Sequence, residues 1–88
     1  MKVTDIYVAR YFGPTAHRGA RVAVRRADCR RWELVEDRDP AVDPKEQITR
    51  MAERLSGGVA VYIITEGRSG DLLVLVAHPD TVQPNKRR

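Results

Sequence analysis

Residues 2–12 fall into two alternating sets, Val3, Tyr7, Ala9 and Tyr11 in one and Lys2, Thr4, Ile6, Val8, Arg10 and Phe12 in the other. A period of two in a segment rich in β-branched and aromatic residues predicts a strand. Both sets hold apolar residues, so the pattern leaves open which face is buried. From Ala20 to Ala27, Val22 and Val24 alternate with Arg21, Ala23 and Arg25. This predicts a second strand that pairs with the first as a hairpin and carries its arginines on a shared outer face. Arg31 to Val35 reads as a third, short strand with Trp32 and Leu34 pointing one way and Trp32 in the core, reached through the turn-prone Asp28-Cys29-Arg30.

The period then changes. Asp37 to Asp43 is a polar connector with a proline, and Asp43-Pro44-Lys45-Glu46 opens a helix: Asp43 suits the N-cap, Pro44 the first helical position, and Glu46 would complete a capping box. Ile48, Met51, Ala52 and Leu55 follow at the spacing of one buried stripe, with Glu46, Gln47, Arg50, Glu53 and Arg54 toward water and Glu46 paired to Arg50. Ser56-Gly57-Gly58 stops the helix. Val59–Thr65 and Leu72–His78 are two strongly apolar strands joined through Glu66-Gly67-Arg68-Ser69-Gly70-Asp71. This last hairpin is nearly apolar on both faces, so it needs cover twice, from the helix and from a second subunit, which predicts a homodimer. The expected architecture is α+β, a small antiparallel sheet of about five strands in the order βββαββ packed on one helix. Residues 1–79 form a single domain, and 80–88 a disordered basic tail.

Eighty-eight residues make one domain, at a size where folding buries only about 60 to 65% of the unfolded chain's surface. A single cysteine, Cys29, has no partner for an internal disulfide and no neighbours at metal-ligand spacing, which suits a reducing cytoplasm. No signal-peptide pattern and no long apolar run is present, so export and membrane insertion are not expected. The net charge of +4 is unevenly spread. Residues 10–31 hold seven arginines against Asp28 alone, a balance of +6, while residues 32–46 hold six acids against Arg38 and Lys45, a balance of −4. A basic first half attracts phosphates or an acidic protein face.

Function centres on the loop between the first two strands. Gly13 and Gly19 tolerate positive φ, Pro14 fixes its own, and Thr15 can hydrogen-bond locally, so the loop is shaped and presents Thr15, His17 and Arg18. With Tyr11, Arg21, Arg25 and Arg26 on the flanking strands, these make the candidate binding set. No nucleophile beside a base, carboxylate pair or metal set is visible, so neither an enzyme nor a cofactor is expected. Cys29 is read as a small, partly buried side chain and His17 as a contact residue. The glycine-rich spots lack phosphate-loop spacing and are read as turns. Arginines beside Tyr7, Tyr11 and Phe12 also suit nucleic acid, with rings stacking on bases and guanidinium groups meeting phosphates.

The run Arg10-Tyr11-Phe12-Gly13-Pro14-Thr15, followed by Arg18-Gly19-Ala20-Arg21-Val22, resembles a family of small proteins from bacteriophages and other mobile elements that open with K-Y-[LI]-G-P-T-N-x-R-G-S-R-[IV]. Ala16 and Ala20 replace polar residues of that pattern, and the order of acidic connector, helix and final hairpin is similar downstream. The family has no established activity, so the resemblance implies a mobile-element accessory protein rather than a mechanism. In that setting the expected function is to bind and inhibit a host protein or ribonucleoprotein complex in the bacterial cytoplasm, most sharply a CRISPR-Cas effector (anti-CRISPR). The alternative is a basic nucleic-acid-binding regulator that uses the arginine-rich first hairpin.

Overall fold

The computed structural model describes residues 2–13, 20–65 and 70–78, with side chains from Asp5 onward. The alternating segments form strands β1 (Lys2–Phe12), β2 (Arg21–Arg26) and β3 (Leu34–Asp37), followed by helix α1 (Pro44–Ser56) and strands β4 (Val59–Thr65) and β5 (Leu72–His78). The chain is α+β, and its elements follow the expected order. All pairings are antiparallel and the sheet runs β3-β2-β1-β5-β4. The first strand is therefore central, with Ala9 opposite Val24 of β2 and Tyr7 opposite Val74 of β5. Because β3 and β4 lie at opposite edges, the connection between them must cross the sheet, and α1 makes that crossing.

Helix packing decides which set of β1 residues lines the core. Ile48, Met51 and Ala52 have no exposed surface and pack with Tyr7, Ala9, Val22, Val24, Leu72, Val74 and Val76. Tyr11, Leu34, Leu55, Ala60 and Ile63 line the margin of this core. Each fully buried aliphatic side chain stabilises the fold by about 1.5–3 kcal/mol. The other set, Ile6, Val8, Arg10 and Phe12, points to the opposite face of the sheet, which no helix or further strand covers among the described residues, although Val8 and Ala23 are buried there.

Three local expectations change. Gln47 is buried rather than solvated, because it flanks the apolar stripe one turn before Met51 and the 37–42 connector folds over it. Its Oε1 accepts from the Asp39 amide and from Arg38, and its Nε2 donates to the Asp37 carbonyl. Arg38 is buried too, donating to the Asp39 and Val42 carbonyls. Asp43 occupies the N-cap without a side-chain hydrogen bond; its carbonyl accepts from the Gln47 amide instead. The third strand starts at Leu34, not Arg31, and Trp32 does not share a side with Leu34. Leu34 faces the helix opposite Val24, whereas Trp32 lies over the uncovered face and outside the core, since the chain bends at 30–31 and is irregular at 32–33 before extending.

At the helix C-terminus Gly57 is left-handed, with its amide donating to the Glu53 carbonyl. Gly13 has φ of 100° at the exit of β1, where Phe12 pairs with Arg21. The rest of the expected functional loop, residues 14–19, lies outside the described residues, as do 66–69 and the expected basic tail. No helix of the described residues is long and apolar enough to cross a membrane.

Candidate functional site

Side chains directly opposite each other on paired strands share a face, so the register assigns the uncovered surface residue by residue. Ile6 and Leu75, Val8 and Leu73, Arg10 and Ala23, and Phe12 and Arg21 are such pairs, with Arg25 beside Val8 and Val35 beside Ala23. Tyr62 and Ile64 of β4 extend it next to Leu75 and Leu73. The face divides into two regions. On β1, β2 and β3 it carries arginines and aromatic rings, and toward β4 it is apolar and uncharged among the described residues.

The aromatic region is organised around Trp32. Phe12 meets the indole edge-on, with ring centroids 5.5 Å apart and planes at 86°. The Arg10 guanidinium lies 5.1 Å and that of Arg25 5.0 Å from the indole centroid, both within cation–π range. Neither guanidinium is loose. Arg10 Nε and Nη2 donate to the two carboxylate oxygens of Asp71 at 2.8 Å each, and this hydrogen-bonded pairing raises the Arg10 pKa further. Arg25 Nη1 donates to the Arg26, Ala27 and Cys29 carbonyls, closing the turn that the sequence places at residues 28–30. The result is a patch of partly exposed rings and cations held in one arrangement before any partner arrives.

Of the residues expected to bind, the four that are described divide between the two faces of the sheet. Thr15, His17 and Arg18 lie outside the described residues. Tyr11 turns to the helix side, where burial raises its phenol pKa. Arg26 also points to the helix side, opposite Tyr7, and is engaged by Glu33 at 2.8 Å. Arg21 and Arg25 remain on the uncovered face, Arg21 at 3.6 Å from Asp37. Sequence reasoning missed Arg10, Trp32 and Asp71. The signal for Arg10 was its place between Val8 and Phe12 in one alternating set. Asp71 gave none, because only the β1–β5 register brings it beside Arg10.

Among the described residues no group of three or more His, Cys, Asp or Glu side chains is arranged to hold a metal ion. Comparison with known proteins gives no matching family model, no matching curated protein and no matching solved structure.

Proposed function

We propose that this chain is a non-enzymatic binding protein of a bacteriophage or other mobile element that occludes a host complex, in its sharpest form the RNA-guided effector of a CRISPR-Cas system. The observation that carries it is the Trp32 patch, a tryptophan and a phenylalanine flanked by two preorganised arginines on an uncovered sheet face. Trp and Arg dominate the energetics of protein interfaces, and cations already held in place lose little freedom on docking. The mobile-element setting rests on the Tyr11-Phe12-Gly13-Pro14-Thr15 and Arg18-Gly19 motif. A chain with this patch would act by covering a mixed or acidic protein surface, or by holding the effector out of its active conformation.

Base stacking on the same rings is less favoured. The guanidinium groups of Arg10 and Arg25 occupy space over the indole that a base would need, and their hydrogen bonds go to Asp71 and to backbone carbonyls.

The test is a cleavage assay with purified effector–guide complexes and, in parallel, capture of host complexes on the tagged chain after nuclease treatment. Inhibition should weaken at least about 30-fold in a Trp32→Ala, Arg25→Glu double variant, the loss expected of a central hot spot. Circular dichroism should show the helix retained. A double variant that inhibits as well as the parent would overturn the patch as the docking surface. A partner lost on nuclease treatment would make nucleic acid the ligand.

A further inference from the structure

The two edges of the sheet are treated differently. β3 is four residues long and carries Glu36 and Asp37, the short, charged design that keeps an edge from recruiting another strand. β4 is seven residues long and holds no charged residue. Its outer backbone groups have no strand beside them among the described residues, and Val59, Val61, Tyr62 and Ile64 are 40 to 63% exposed. Ile6, 47% exposed, continues the same apolar surface through Leu75 and Leu73. Among the described residues its one protective feature is a bulge between Ala60 and Tyr62, which leaves Tyr62–Thr65 regularly paired to β5.

We propose that this edge is covered by a second copy of the chain, with β4 of each copy antiparallel to β4 of the other. A two-fold axis makes edge-to-edge pairing of identical strands antiparallel, and it needs a surface complementary to itself. An uncharged apolar strip meets that condition, whereas the arginine-bearing region of the same face would meet its own charges. The chain carries +4 overall, so an interface between copies is favoured where charge is lowest. The apolar side chains here expose on the order of 500 Å² per copy, the upper range for a monomer's largest patch. The two sheets become one continuous sheet, and both Trp32 patches stay open on it.

Light scattering on the full chain at about 100 μM should give twice the 10.0 kDa chain mass, and the unfolding midpoint should rise with concentration, as mass action requires. Tyr62→Lys and Ile64→Lys should each give the monomer mass with an unchanged circular dichroism spectrum, and Val35→Lys, at the other edge, should stay dimeric. A wild-type chain that is monomeric at that concentration with a concentration-independent midpoint would overturn the proposal. So would a dimer that survives both β4 substitutions, or one that Val35→Lys disrupts. Tyr62 and Ile64 lie at the edge of the sheet opposite β3 and Trp32, so loss of the dimer with partner binding intact would separate this inference from the proposed function.

Discussion

Glu33 accepts three hydrogen bonds from Arg26: the backbone amide and Nε to Oε2 at 3.0 and 3.1 Å, and Nη2 to Oε1 at 2.8 Å. These bonds hold the Glu33 carboxyl below its ordinary pKa, the Arg26 side-chain hydrogen bond first among the causes. A carboxylate with a depressed folded-state pKa adds stability at pH values above its unfolded value, and that stability is lost as pH falls through the folded value. Glu33→Gln should therefore unfold at a lower temperature than the parent at neutral pH. The gap should close as the pH drops below about 4, under the unfolded glutamate value of about 4.3. Thermal unfolding of both chains across that range checks the sign; a gap that widens in acid would show that Glu33 is not ionised against Arg26.

At the scale of the element, the end of α1 sets two adjacent glycines apart by mechanism. Gly57 has φ of 76° with nothing near the position of an added Cβ, so Gly57→Ala costs only the left-handed backbone, about 1–2 kcal/mol. At Gly58 an added Cβ would lie 2.7 Å from both the Ala77 carbonyl oxygen and Val76 Cγ1, near the C-terminal end of β5. A backbone atom of an interior strand cannot step aside, so Gly58→Ala should cost more, about 2–3 kcal/mol or above. Denaturant titration of the two variants gives the order, and an equal or smaller loss at Gly58 would contradict this packing. The helix was legible because Ile48, Met51, Ala52 and Leu55 could form no other stripe, and Val59–Thr65 and Leu72–His78 emerge with the bounds expected because glycine-containing turns delimit two apolar runs. Gln47 was not legible, because its burial comes from the connector folding over it rather than from its own helix. Trp32 was misplaced for a related reason. Alternation carries no information where the chain turns, and the chain turns at 27–28, bends at 30–31 and runs irregularly through 32–33. The patch around Trp32 was visible only in the Ile6, Val8, Arg10, Phe12 alternation, and its assembly needed the registers of three strand pairs.

For the whole molecule, the charge asymmetry along the sequence largely cancels in space. Antiparallel pairing of β3 with β2 lays the acidic segment beside the basic one, so that Arg21 meets Asp37 and Arg26 meets Glu33, while Asp71 returns from the last hairpin to Arg10. On the helix, Arg50 pairs with Glu46 and Arg54 with Glu36. Arg30 and Arg31 are exposed and make no ion pair among the described residues. A protein that binds nucleic acid through seven arginines would lose affinity with a slope near −0.7 per neutralised single-strand phosphate on a double-logarithmic salt plot, about −5 in all. With Arg10, Arg21, Arg25 and Arg26 engaged internally, this chain should show a slope shallower than about −2 and no discrete complex at about 150 mM salt. Fluorescence anisotropy with labelled single-stranded and duplex probes measures both. A slope steeper than about −4 would mean that the internal pairs open to phosphate, and would return the first hairpin to nucleic-acid recognition. A shallow slope, with a protein partner retained after nuclease treatment, would leave the Trp32 patch as the surface through which the chain acts.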